Sequence, residues 1–288
     1  MTQLLTGSRL RFFLTAPTPC PYLPGKLERK VFAHLPFGDG ATANDELTQV
    51  GFRRSQNIAY RPACDGCDAC LSVRVPAAEY AFSRSERRVL ERNAGLERRL
   101  VDPEATHEQF ELLRRYLACR HPGGGMTDMT WADYVAMVED TPAKTQIAEY
   151  RTPAADGGPG DLVACALVDL MSDGLSLVYL FYAPELQRGS PGRFVILDHL
   201  RQAQATRLPY VYLGYWVQGS PKMGYKGGYR PLVILTPRGW MRAADSPQGP
   251  RSWPSAAGAV CAVCAAIMLC SNGTSREGLS ASGSRPPA

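Results

Sequence analysis

A chain of 288 residues has room for one large domain or two smaller ones with their own cores. Hydrophobic residues make up 45% and charged residues 20%, ordinary for a water-facing globular chain, and no run reaches the roughly 18 apolar residues of a membrane span, the longest, Ala256 to Cys270, being interrupted by Gly258. The net charge of +5 leans towards an anionic partner, while nine cysteines, three of them clustered, exclude a paired disulfide framework and favour thiol or metal chemistry in a reducing compartment.

Arg9 and Arg11 stand where a secretory leader would need an apolar run, so the expected location is the cytoplasm. Residues 9–15 (RLRFFLT) read as a short strand, followed by a proline-punctuated loop carrying Cys20. Residues 26–34 form a basic strand or short helix. Residues 44–50 read as a helix capped by Asn44 and stopped by Gly51. Residues 82–100 have a helical pattern, with Ser83 or Ser85 as cap and Arg84, Arg88 and Arg92 recurring every fourth position. That basic stripe is either a solvated face or an edge for phosphates.

A helix over 106–120 ends at the hinge His121-Pro-Gly-Gly-Gly125, and another, capped by Thr130 or Asp128, runs to Val138. Strands follow at 145–150, 162–170 and 175–182, the last two a hairpin turning at Ser172-Asp173-Gly174. A helix over 194–207, a strand over 210–215, a glycine-rich basic loop over 222–230 and a strand over 232–235 complete the order. This order predicts an α/β (α+β) fold: an acetyltransferase-like mixed sheet domain with a Cys-containing N-terminal domain. The expected division is 1–80 for the Cys-cluster domain, 81–242 for the transfer domain with its linking helices, and 243–288 for a disordered or atypical tail.

The most chemically loaded stretch runs from Gly51 to Pro76, GFRRSQNIAYRPACDGCDACLSVRVP. Thiols at the spacing Cys64-x-x-Cys67-x-x-Cys70 can turn inward on one metal or cluster. Arg53, Arg54 and Arg61 beside them suit phosphate or carboxylate.

These segments, with Cys20-Pro-Tyr-Leu-Pro-Gly25, Arg115-Tyr-Leu-x-x-Arg-His121, Tyr179-Leu-Phe-Tyr182, Tyr212-Leu-Gly-Tyr-Trp216 and Lys222-Met-Gly-Tyr-Lys226, resemble the bacterial aspartate/glutamate leucyltransferases, relatives of the arginyl-tRNA–protein transferases. The match runs in order from residue 1 to about 240 and departs at Gly192-Arg-Phe194 and Val233. The resemblance implies transfer of leucine from leucyl-tRNA to proteins with N-terminal Asp or Glu, marking them for N-degron degradation. It implies no cofactor for the transfer itself and no membrane partner.

Such aminolysis needs orientation, oxyanion stabilisation and protonation of the departing ribose oxygen. Tyr179, Tyr182 and Tyr225 are candidate catalytic donors, with backbone N–H groups as alternatives. Lys222, Lys226 and Arg230, in a loop spaced by glycines, are candidates for the tRNA backbone, and Trp216 for stacking on a base. An acidic acceptor calls for a bidentate cation, with Arg53, Arg54, Arg61 and Arg84 as candidates. Cys20 is expected to join Cys64, Cys67 and Cys70 around zinc or an iron–sulfur cluster, or the four pack as reduced thiols. Two rival readings are a coenzyme-A-dependent acetyltransferase, disfavoured by Pro191 and glycines off the pyrophosphate-loop spacing, and a non-catalytic zinc module that binds RNA.

Overall fold

A computed structural model describes residues 10–154 and 158–246. In chain order the first elements are β1 (Phe12–Leu14), β2 (Thr18–Pro19), β3 (Leu27–Glu28), β4 (Lys30–His34), α1 (Gly40–Gln49), β5 (Arg53–Ser55), β6 (Ile58–Pro62) and β7 (Cys70–Pro76). There follow α2 (Arg84–Arg92), β8 (Glu97–Val101), α3 (His107–Arg120), α4 (Trp131–Glu139), β9 (Thr145–Arg151), β10 (Leu162–Met171) and β11 (Gly174–Tyr182). The last are α5 (Pro191–Ala205), β12 (Tyr210–Val217), β13 (Val233–Thr236) and β14 (Gly239–Arg242). The sheet-and-helix mixture matches the fold class expected from the sequence.

The organising layer is an eight-stranded sheet in the order β14-β13-β7-β12-β11-β10-β9-β8. Strands β9, β10 and β11 form an antiparallel meander, and β12 then runs parallel to β11 after the α5 crossover. A second sheet, β1-β4-β6-β5, belongs to the N-terminal part. Strand β7, expected with the N-terminal domain, instead lies inside the large sheet between β12 and β13.

Both faces of the large sheet are covered, which is why its strands read as long apolar runs rather than clean alternations. On one face Tyr150 meets α5, its ring 5.5 Å from Phe194 and its hydroxyl donating to Asp198 at 2.9 Å. Thr145, five residues earlier on the same strand, points to the opposite face by the strand's period of two. There Thr145 donates to Asp169, and so does Arg54 from β5, which ties the N-terminal sheet to that face. Helix α3 covers the same side, its Gln109 donating to Glu149 at 2.8 Å.

The helix ends follow local chemistry. Ser83, Thr106 and Thr130 each form a reciprocal capping box with Glu86, Gln109 and Asp133. Helix α1 begins at Gly40, earlier than expected, and Asn44 is no cap but a buried donor to Asp169. Gly51, with φ of +91°, follows α1 as expected. The helix expected over 82–100 ends at Arg92: Asn93 turns its side-chain amide back to Val89 O at 2.8 Å, and residues 97–101 pair with β9 as an exposed edge strand. Residues 247–288, most of the expected tail, lie outside the described residues.

Candidate functional site

Strands β11 and β12 are paired only where Gly174, Leu175 and Ser176 meet Tyr210, Val211 and Tyr212. Beyond that point they part, and backbone carbonyls on both lips need other partners. Two cations provide them. Arg53 Nη2 donates to Leu177 O on the β11 lip at 3.3 Å, and Lys226 Nζ donates to Tyr215 O on the β12 lip at 2.9 Å. Between them lies Gly214, with φ of +81°, at a register shift in the β12–β7 pairing. A Cβ there would sit 3.4 Å from Lys226 Nζ and 3.5 Å from Arg53 Nε and Nη2. A glycine inside an otherwise apolar strand marks such close approach.

Both cations are withdrawn from water, Arg53 at 4% and Lys226 at 1% exposure. Burial lowers the pKa of the Arg53 guanidinium, partly offset by Tyr215, Tyr60 and Asp169. Arg53 Nη1 is buried and has no hydrogen-bond partner among the described residues. A donor left in that state costs about 1–3 kcal/mol, so it stands ready to reward an incoming oxygen. Its position is fixed by β5, where Arg53 pairs with Tyr60 of β6, and by the Tyr215 hydroxyl, which donates to Gly51 O and Tyr60 O.

A cavity of about 400 Å³ adjoins this centre and is lined by Cys20, Cys64, Cys67, Cys70, Arg61 and Tyr215. The cysteine segment and the glycine-spaced loop therefore meet, through the packed cluster of Tyr60, Tyr215, Val217 and Met223. Burial, and then the neighbouring thiols of Cys64, Cys20 and Cys67, push Cys70 up to about 12. All four cysteines are free thiols, and Cys64 Sγ accepts from the Arg29 backbone N–H at 3.4 Å. Among the described residues no group of three or more His, Cys, Asp or Glu is arranged to hold a metal ion. The thiols share a pocket but do not fit a metal as placed.

Several predicted site residues take other parts. Arg54 is committed to Asp169 through two 2.7 Å bonds, with Thr145 and Gln56 O as further acceptors, so it has no fork left for a substrate carboxylate. Trp216 is 0% exposed, and its indole donates to Gly224 O at 3.2 Å; no ring face is open to a base. Lys226 is buried on Tyr215 O, away from any solvent-borne phosphate. Arg84 lies on α2, which packs with α5 across the sheet from the Arg53 segment.

The other candidates are placed as follows. Lys222 and Arg230 are exposed beside the 3₁₀ turn Gly224–Gly228. Arg61 is exposed at the rim of the thiol cavity, stacked over Phe52 and donating to Val50 O. Tyr179 and Tyr182 lie buried in the parted arm of β11, and Tyr225 is buried next to Lys226. Gly214 and Asp169 escaped the sequence reading. A glycine inside YVYLGYWV was a signal for the first. Asp169 sits in a strand whose apolar neighbours hide its role.

Comparisons with known proteins converge. The family model for the C terminus of arginine-tRNA-protein transferase matches residues 108–236, and that for its N terminus matches residues 18–88. The chain is 69% identical over 240 residues to the aspartate/glutamate leucyltransferase of Phenylobacterium zucineum (strain HLK1), covering 83% of this chain and 93% of that one. It is 65% identical over 256 residues to that of Caulobacter vibrioides (strain NA1000 / CB15N), covering 87% and 92%. For Rhodopseudomonas palustris (strain BisB5) the figures are 54% over 244 residues, covering 83% and 95%. Among solved structures, L-PGS from Bacillus licheniformis aligns at 13% identity and a TM-score of 0.38 over 52% of this chain and 47% of that one, a likeness too slight to bear on function.

Proposed function

The chain belongs to the aspartate/glutamate leucyltransferases of the arginine-tRNA-protein transferase family, and on that premise we propose that it moves leucine from leucyl-tRNA to the α-amine of proteins beginning with Asp or Glu. The acceptor amine attacks the ester carbonyl carbon, a C–N bond forms, the C–O bond to the ribose breaks, and the amine's proton leaves with the ribose oxygen. An α-amine titrates near 8, so a neutral fraction is present without a strong base. The observation that carries this reading is the pair of buried cations flanking Gly214 where β11 and β12 part.

A tetrahedral intermediate puts negative charge on the former carbonyl oxygen. The unpartnered Arg53 Nη1 supports a role as its hydrogen-bond donor, with Lys226 as the adjoining charge. In a site closed to water such donors act at low dielectric and need no reorganisation at the moment of reaction. Arg61, on the cavity rim, is our candidate for the acceptor's side-chain carboxylate, while exposed Lys222 and Arg230 serve the RNA end. Tyr179, Tyr182 and Tyr225 are the candidates for protonating the ribose oxygen. The thiols receive no step. No described helix is long and apolar enough to cross a membrane. The new N-terminal leucine then marks the acceptor for degradation in the cytoplasm.

The test is transfer of labelled leucine from leucyl-tRNA to peptides beginning Asp, Glu or Gly, with arginyl- and phenylalanyl-tRNA as competing donors. Leucine should pass to the Asp and Glu peptides alone. No transfer, or transfer from arginyl-tRNA only, would overturn the reading, and saturable binding of acetyl-coenzyme A would revive the acetyltransferase alternative.

A further inference from the structure

Helix α2 is built around a small buried stripe. Glu86 and Val89 face inward, and Glu86 is occupied by the Tyr80 hydroxyl at 2.7 Å, by Ser83 and by Arg193. The outward face carries Arg84, Arg87, Arg88 and Arg92, all exposed, with Glu91 as the helix's exposed acid. None of the four has a carboxylate partner among the described residues. Arg87 and Arg92 donate instead to the carbonyls of Phe82 and Arg188, each at 2.6 Å.

Three neighbouring cations on this side of the sheet do have carboxylate partners. Arg98 and Arg201 meet Asp198, and Arg193 meets Glu86. Like charges at i, i+3 and i, i+4 oppose one another on a helix, so Arg84/Arg87, Arg84/Arg88 and Arg88/Arg92 are unfavourable for folding alone. The far end of the face opens into a pocket of about 680 Å³ lined by Arg92, Asn93, Arg188 and the apolar Leu96, Pro153 and Leu186. Guanidinium groups beside an apolar wall suit a nucleotide, whose phosphate and base need those two surroundings.

The geometry points to this face of α2, continued into the Arg92–Arg188 pocket, as the docking surface for the sugar–phosphate backbone of the donor tRNA, separate from the buried centre that handles its aminoacyl end. The inference rests on the leucyl-tRNA reading for the identity of the RNA. The charges themselves require only a polyphosphate partner, because a regular row of phosphates is the complement of a row of arginines.

The experiment measures binding of an unacylated leucine tRNA transcript to the full chain across a salt series. In Arg84→Gln/Arg87→Gln/Arg88→Gln/Arg92→Gln affinity should fall about tenfold or more, and the slope of log K against log salt should shrink by roughly 0.7–0.9 for each phosphate no longer neutralised. Glu91→Lys, which leaves the buried stripe untouched, should bind more tightly with a steeper slope, and it serves if the fourfold variant fails to fold. Turnover at saturating leucyl-tRNA should stay at the parent level. Unchanged affinity and slope in a folded fourfold variant, or no gain in Glu91→Lys, would overturn the proposal. So would loss of binding to phosphatidylglycerol vesicles with tRNA binding intact, which assigns the face to a lipid surface. If leucyl transfer fails while tRNA binding still depends on α2, the docking surface stands and the leucyl reading falls. Transfer with α2-independent binding gives the reverse.

Discussion

Arg54 and Asp169 test how the N-terminal sheet is fastened to the large one. Each side chain is 1% exposed. Asp169 accepts from Arg54 Nε and Nη2 at 2.7 Å each, from Thr145 at 2.8 Å and from Asn44 at 3.2 Å, so its carboxylate is fully served. Replacing Asp169 with Ala strands the guanidinium in the interior, a loss of about 3–5 kcal/mol. Asn44 and Thr145 also lose an acceptor, which adds roughly 1 kcal/mol. Arg54→Ala should cost about as much. Against a total stability of about 5–15 kcal/mol, either is severe.

Arg54→Met/Asp169→Leu removes both charges and keeps volume, so it should lose far less than the sum of the single variants, about 1–2 kcal/mol in all. Urea unfolding followed by circular dichroism and tryptophan fluorescence reads the three variants against the parent. Near-additive losses, or an Arg54→Ala cost below about 1 kcal/mol, would refute the reasoning. The same double variant should keep the parent KM for an Asp-initiated peptide. A raised KM would return Arg54 to the acceptor-binding role that its bonds to Asp169 deny it.

Arg53→Met should lower kcat for leucyl transfer by about 10²–10³ with little change in stability, since it deletes a donor with an unmet N–H and a charge that burial disfavours; loss of stability with normal turnover would contradict this. Gly214→Ala forces a side chain into positive φ at about 1–2 kcal/mol and crowds both cations, so turnover should fall more than stability does, as paired kinetics and denaturation would show. Buried His199 is held down to about 4, first by burial and also by Arg98, against an ordinary value of 6.5. The unfolded chain therefore binds a proton that the fold refuses, and stability is lost as pH falls from about 6.5 to 4, by up to roughly 3 kcal/mol. His199→Leu should flatten that part of the pH–stability curve, and an unaltered curve would assign the dependence elsewhere.

The fold was legible wherever a segment carried its own punctuation. The apolar repeat over 106–120 announced α3, a cap at Thr130 or Asp128 announced α4, and Ser172-Asp173-Gly174 announced the β10–β11 hairpin. Residues 97–101 misled because the adjacent Arg98 and Arg99 of an exposed edge strand mimic the next turn of a basic helix, and only pairing with β9 decides the matter. The site was half legible. Arg53 of the GFRRS segment and Lys226 of the glycine-spaced loop meet at Gly214, whereas Lys222 stays exposed on the loop. Which arginine serves structure and which stays available was not readable, because Arg53 and Arg54 differ only in the side of β5 they leave from. Asp169, which captures one of them, lies 115 residues away. Trp216 and Lys226 looked like surface recognition groups, yet neither burial nor a carbonyl partner can be seen in a local pattern.

Strand β7 has a consequence for how this molecule comes into being. It emerges early in synthesis, yet both its neighbours, β12 and β13, come more than a hundred residues later. The large sheet thus has a gap that only an already-made N-terminal segment can fill, and its last seam closes over a long loop of chain. A fragment starting after Pro76 would carry two open strand edges in place of one continuous layer, an invitation to self-association rather than a smaller working transferase.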